Sequence, residues 1–314
     1  MKSQFISPVV SVFDAKGRLD PEQNHRVYDH LIAAGISGMV ILGSTGEFFS
    51  LGMQASKDLV DIAVKYTKGR FRVFVGASRM DPEESIELAN YAHDKGADGV
   101  MIISPYYFRL TDDSVYDYYS TIAAKVAANI FIYNFPDRTG YSVSPAVTLK
   151  LASRFKNIVG FKDTTQDMNH TCDLIKTVRQ ELPYFEIFSG FDNNFAHNIL
   201  SGGSGCIGGL SNLIPEFFAT WSAAVDRGDF AAVAEGQRFV DKMMDLYGIG
   251  DPFIPVLKRA LVMRGIIDSD ACTKPFLGTN EQQVARIRSL LDTMHIARIG
   301  APAGIGREPE LMAR

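Results

Sequence analysis

A lysine at the end of a short apolar run is the residue in this chain best placed to bond covalently to a carbonyl. In NIVGFKDTT (157–165), Ile158, Val159, Gly160 and Phe161 read as a strand buried on both faces. Lys162 stands where polar residues resume. An amine there loses hydration, which disfavours the ammonium and leaves a nucleophile able to form a Schiff base. A lone strand-end lysine more commonly snorkels into water, so its surroundings must decide. YNFPDRTG (133–140) offers Tyr133, a phenol that can pass a proton beside an imine, and Arg138, which can clamp a carboxylate or pair with a nearby acid such as Asp137. GSTGE (43–47) offers the hydroxyls of Ser44 and Thr45 on a glycine-rich turn whose N–H groups suit a small carboxylate. A plain turn is the bland alternative. SPYYFR (104–109) sets Tyr106 and Tyr107 beside a proline, while FSGFDNN (188–194) and SGGSGCIGG (201–209) are rich in glycine.

These groups need a frame that brings separate strand ends together. Short apolar runs at 9–13, 38–42, 73–76, 99–103, 130–133, 158–162, 186–189 and 206–208 read as strands. Stretches of helical period lie between them, at 21–34, 53–67, 82–95, 114–127, 145–154, 168–181 and 193–200. Pro21, Pro82 and Pro145 each follow an Asp or Ser, the pattern of an N-cap and a first-turn proline. Eight such units predict an α/β fold, a (β/α)8 TIM barrel over 1–228, with a doubly wound sheet as the lesser alternative. Helices at 215–227, 230–247, 252–264 and 281–295 follow without strands. The first completes the barrel, and the rest make a C-terminal three-helix extension over 229–296. A flexible tail is expected at 297–314. In a barrel of this kind the strand C-termini form the active site, and every group named above falls there.

Composition narrows the function classes. The chain has 314 residues, 46% hydrophobic and 22% charged, with a net charge of −4, so neither nucleic acid nor an anionic membrane is an expected partner. The N-terminal MKSQFISPVVSVFD lacks the form of a signal peptide, and no apolar run reaches the roughly 20 residues of a membrane span. Cys172, Cys206 and Cys272 are odd in number and scattered, and the six histidines lack ligand spacing. A cytoplasmic protein with no metal is expected.

GSTGE (43–47), the Y-N-x-P of 133–136 and the G-F-K-D of 160–163, in that order and spacing, resemble the dihydrodipicolinate synthase / N-acetylneuraminate lyase family of pyruvate-dependent class I aldolases. The resemblance covers roughly residues 5–295. It implies that Lys162 forms an imine with pyruvate, with no cofactor beyond that covalent link. It also implies that Tyr133 relays protons through Ser44, that Thr45 holds the pyruvate carboxylate, and that the backbone carbonyl of Ile207 faces the lysine. Tyr107 resembles the tyrosine that completes the relay in a neighbouring subunit, which implies a homo-oligomer, a tetramer built as a dimer of dimers. For the second substrate the resemblance divides. PDRTG (136–140) is similar to the synthase branch, where the arginine at Arg138 holds the carboxylate of aspartate semialdehyde. GFDNN (190–194) is similar to the sugar-acid and sialic-acid lyases, which implicates Gly190 and Asp192 in binding hydroxyls. The expected function is therefore a Schiff-base lyase most like dihydrodipicolinate synthase, with a 2-keto-3-deoxy sugar acid aldolase or N-acetylneuraminate lyase-like enzyme as the alternative. The rival from another class is a non-catalytic barrel that binds a keto acid. The joint presence of Lys162, Tyr133, Ser44, Thr45 and Tyr107 speaks against it, because binding alone needs no proton relay.

Overall fold

Regular alternation of strand and helix closes on itself. The computed structural model describes residues 2–299. Its strands are β1 (Gln4–Pro8), β2 (Gly38–Ile41), β3 (Arg72–Gly76), β4 (Gly99–Ile103), β5 (Ile130–Asn134), β6 (Ile158–Asp163), β7 (Glu186–Ser189) and β8 (Gly205–Ile207). All pair in parallel and in chain order, with β1 hydrogen-bonded to both β2 and β8, so the barrel is closed. The helices are α1 (Pro21–Ala34), α2 (Met53–Thr67), α3 (Pro82–Lys95), α4 (Asp112–Ala123), the single turn α5 (Pro136–Thr139), α6 (Pro145–Arg154), α7 (Met168–Arg179), α8 (Phe195–Leu200) and α9 (Pro215–Arg227). Asp20, Asp81 and Ser144 accept backbone N–H groups at the starts of α1, α3 and α6, so the proline start signals mark real helix ends. Beyond the barrel lie α10 (Phe230–Met243), a 3-10 turn at Met244–Ile249, α11 (Ile254–Arg264) and α12 (Glu281–Thr293). Residues from 300 on, within the tail expected at 297–314, lie outside the described residues.

One strand is not where the sequence suggests. The first strand is Gln4–Pro8, and the apolar run at 9–13 is a buried loop leaving its C-terminal end. Side chains satisfy that loop's backbone: Val10 N–H donates to Asn212 Oδ1 at 3.0 Å and Val12 N–H to Asn24 Oδ1 at 3.2 Å. A buried loop and a buried strand share the same apolar composition, so periodicity cannot separate them.

The pairing of β5 with β6 fixes the chemistry. Its register shifts between Ile130 and Phe131, after which Tyr133 lies beside Lys162 and Asn134 beside Asp163. Gly160 makes this possible, since a Cβ there would come within 2.2 Å of the Phe131 ring. Side chains alternate faces along a strand. Asp163 turns outward, where it accepts from Asn134 Nδ2 at 2.8 Å and Thr171 Oγ1 at 2.7 Å and meets His170 Nδ1 at 2.8 Å. Burial alone would lower the His170 pKa, but the Asp163 carboxylate outweighs it and the net shift is upward. This outward network ties β6 to α7 and leaves Lys162 on the opposite, inner face.

Candidate active site

A cavity of about 510 Å³ opens at the C-terminal ends of the strands. Ser44, Thr45, Tyr133, Arg138, Lys162, Gly190, Asp192 and Ile207 all line it. The structure thus brings together eight of the nine residues predicted from the sequence. Tyr107 is the exception. It is 87% exposed, packs edge-on against Phe108, and holds a left-handed backbone (φ 96) that a non-glycine residue adopts only under constraint.

Lys162 is 6% exposed, its ammonium 4.5 Å from the centre of the Tyr133 ring. The Tyr133 hydroxyl stands 3.4 Å from Ser44 Oγ, long for a hydrogen bond between hydroxyls and of the kind that tightens when substrate arrives. Amine, phenol and serine hydroxyl therefore form a short line from β6 through β5 to the turn after β2.

That turn is held by two non-glycine residues in left-handed conformation, Leu42 (φ 54) and Glu47 (φ 60). Strain of this type persists only where the surroundings over-determine it. Here they do. Glu47 is fully buried in an ion pair with Lys258 of α11, and its Oε2 accepts from both the N–H and the hydroxyl of Thr273 at 2.7 Å. Lys258 also donates to the Ala271 carbonyl at 2.8 Å. Within the turn, the N–H groups of Gly46, Glu47 and Phe48 are spent on Gly43 and Ser44 carbonyls. Those of Ser44 and Thr45 have no partner among the described residues, which leaves them for a carboxylate. Neither Glu47 nor Lys258 was singled out from the sequence. The signal was the last letter of GSTGE, an acid at a position the carboxylate-binding role does not need.

The other end of the cavity is polar and comes partly from the extension. Asp192 is 1% exposed, and its carboxylate accepts the Leu210 N–H at 3.0 Å and the Tyr247 hydroxyl at 2.9 Å. Burial pushes its pKa up to about 6 despite those two hydrogen bonds. Because folding raises this pKa from 3.8, the carboxyl costs the fold stability as pH rises from about 4 through 6, a cost that tends to sit at functional positions. The Thr164 hydroxyl is buried in the cavity wall without a partner among the described residues. Arg138 lies at the rim, its side chain 59% exposed, with Nη2 3.9 Å from Asp251 Oδ1. Asp251 rather than the adjacent Asp137 is the acid it meets. Tyr247, Asp251 and Phe253 all come from the segment between α10 and α11.

Among the described residues, no cluster of three or more His, Cys, Asp or Glu side chains could hold a metal ion, and no helix is long and apolar enough to cross a membrane.

Known proteins share this family and fold. The model of the dihydrodipicolinate synthetase family matches residues 1–294. The putative 2-dehydro-3-deoxy-D-gluconate aldolase YagE of Escherichia coli K12 is 32% identical over 291 residues, 93% of this chain and 96% of the relative. The crystal structure of YagE in complex with pyruvate matches with a TM-score of 0.91, covering 94% of this chain and 99% of that one. The probable 2-dehydro-3-deoxy-D-pentonate aldolase YjhH of the same organism is 33% identical over 294 residues, 94% of this chain and 98% of the relative. Dihydrodipicolinate synthase from Thermotoga maritima has a TM-score of 0.89 at 27% identity, covering 94% of this chain and 99% of that one.

Proposed function

The chain belongs to the dihydrodipicolinate synthetase family of pyruvate-dependent lyases, and from that membership we propose that its partner substrate is a hydroxylated aldehyde. The reaction is the reversible cleavage of a 2-oxo-3-deoxy-4-hydroxy acid. Lys162 attacks the keto carbon, water leaves, and the imine forms with no cofactor. Tyr133, with Ser44 behind it, takes the proton from the 4-hydroxyl. The C3–C4 bond breaks, its electron pair enters the imine to give an enamine, and the aldehyde departs. Protonation of the enamine at C3 and hydrolysis release pyruvate. Thr45 and the free N–H groups of the turn hold the pyruvate carboxylate throughout, with Ile207 and Gly190 shaping the walls. The names of YagE and YjhH support this substrate class.

The observation that carries the reading is the contrast between the two candidate recognition groups. Asp192, Thr164 and Tyr247 are hydroxyl-matching groups in the buried wall, whereas Arg138 is largely in water and faces Asp251. A loose, exposed ion pair contributes little. Arg138→Ala should therefore change kcat/KM for pyruvate plus glyceraldehyde by less than about threefold. The second reading keeps the synthase-like partner, favoured by Arg138 itself, whose loose contact with Asp251 a substrate carboxylate could replace. Under that reading aspartate semialdehyde is the better aldehyde, and Arg138→Ala costs it about 30-fold or more, from the roughly 2 kcal/mol lost with a desolvated charge pair. Steady-state rates with both aldehydes, in wild type and variant, separate the two.

Tyr107 belongs to this proposal as the residue that completes the relay of a neighbouring subunit, in a dimer that pairs into a tetramer. Its exposure beside Phe108, and the strained backbone that presents it, support that role. Mixing inactive Tyr107→Phe with inactive Lys162→Ala subunits should restore activity to sites assembled from intact halves. Exchange of subunits without any recovery would place the tyrosine's role elsewhere. The cytoplasmic location expected from the sequence is also part of the proposal, supported by three cysteines that remain unpaired.

A further inference from the structure

The residue in the cavity least explained by the reaction is Tyr247, supplied by the 3-10 turn after α10. Its hydroxyl donates to Asp192 Oδ2 at 2.9 Å. A carboxylate is an acceptor only, so the single phenolic hydrogen is committed to that bond. What Tyr247 can still offer a ligand is a lone pair. The arrangement is well enforced. The other carboxylate oxygen is taken by the Leu210 N–H at 3.0 Å, and Phe253 packs edge-on against the Tyr247 ring at 4.9 Å. Gly209, which also lines the cavity, leaves room for the phenol, because a Cβ there would lie 2.6 Å from its oxygen. Burial and the Asp192 charge hold the phenol well above its ordinary pKa, so it keeps its hydrogen at any working pH.

We infer that Tyr247 is a specificity-determining residue, an obligate hydrogen-bond acceptor that selects aldehydes carrying a hydroxyl and disfavours those presenting only acceptor oxygens. This rests on the proposed Schiff-base reaction and specifies how its second substrate is chosen. Asp192, expected to bind hydroxyls itself, then acts as a positioning residue that sets the polarity of Tyr247. The selectivity is built from both parts of the chain, since Asp192 follows β7 while Tyr247 comes from the extension.

The logic makes a definite statement about Asp192→Asn. The Leu210 N–H needs an acceptor, so the amide oxygen of the new residue must face it. The amide NH2 then points at Tyr247 and donates to the phenol, which frees the phenolic hydrogen for the substrate. The test compares pyruvate addition to glyceraldehyde with addition to its 2,3-di-O-methyl ether, whose oxygens only accept. Wild type should favour glyceraldehyde. Tyr247→Phe should narrow that kcat/KM ratio about tenfold by slowing glyceraldehyde, the effect of one lost hydrogen bond. Asp192→Asn should narrow it by the other route, raising use of the ether. A Tyr247→Phe ratio within twofold of wild type overturns the inference. If that variant does not fold, Asp192→Asn decides alone, and no gain with the ether overturns it. Borohydride trapping of the pyruvate imine in wild type keeps the two levels apart. No imine removes the parent reaction and this inference with it, whereas an imine with an unmoved ratio removes this inference only.

Discussion

Lys162→Ala is expected to lose the pyruvate adduct altogether and to lower kcat by about 10⁴-fold or more, the scale seen when a covalent nucleophile is removed. Treating the wild-type protein with borohydride in the presence of pyruvate should fix a reduced pyruvyl group on the peptide that contains Lys162, and the variant should show none. The effect is large because nothing else in the cavity can substitute. Among its lining residues Lys162 is the only amine, and Arg138 lies on the rim with a guanidinium that is not nucleophilic. The loss should be chemical rather than structural. Lys162 faces a cavity and makes no ion pair among the described residues, so truncating it removes few contacts, while Asp163 continues to anchor β6 through Asn134, His170 and Thr171. A melting temperature close to wild type would check this. An undiminished adduct in the variant, or no adduct in the wild type, would end the Schiff-base account.

The sequence was most readable where function depends on strand ends. Once the strands were counted, GSTGE, Tyr133, Lys162 and the glycine-rich ends of β7 and β8 had to meet, because a parallel barrel gathers all its C-terminal ends at one mouth. Proline behind an Asp or Ser cap located the starts of α1, α3 and α6 to the residue. The first strand slipped because β1 opens with the polar Gln4, whereas the loop after it is apolar apart from the buried Ser11. Local pattern favoured the loop. The actual strand is decided by its pairing with β2 and β8, which no local window contains. The single-turn helix α5 leaves no trace in the sequence for a related reason: four residues are too few to show a period.

What stayed hidden was everything the extension does for the barrel. Glu47 and Lys258 are 211 residues apart in the chain, and each alone reads as a solvated charge. Together, fully buried, they hold the turn that presents Ser44 and Thr45. Breaking such a pair from one side leaves a stranded charge and typically costs 3–5 kcal/mol. The extension is therefore part of the site's construction. Asp192 was readable as a candidate, but its partner was not, since the turn carrying Tyr247 has no motif. Arg138 shows the limit of reading one side of a contact. Its residue type and position suggested a carboxylate clamp, and only the structure sets Asp251 opposite it.

Tyr133→Phe carries the second large effect. The substitution removes one oxygen and keeps the ring, which stacks on Phe135 with centroids 6.1 Å apart and lies under the Lys162 ammonium. Packing is thus preserved, and what disappears is the hydroxyl standing 3.4 Å from Ser44 Oγ. General acid–base catalysis by a positioned side chain contributes typically about 10²–10⁴-fold, and kcat should fall by that amount. Two observations tell a proton relay from a mere structural prop. Exchange of the pyruvate methyl protons in deuterated water should slow in step with kcat, because imine-to-enamine conversion needs the same group. Trapping with borohydride after long incubation should still label Lys162, because the nucleophile is intact and only the rate of imine formation suffers. Ser44→Ala should fall between the variant and wild type, since Ser44 reaches the substrate's proton only through the phenol. Proton exchange at the wild-type rate in Tyr133→Phe would show that another group moves the proton, and the line from Lys162 through Tyr133 to Ser44 would then be a contact without a catalytic role.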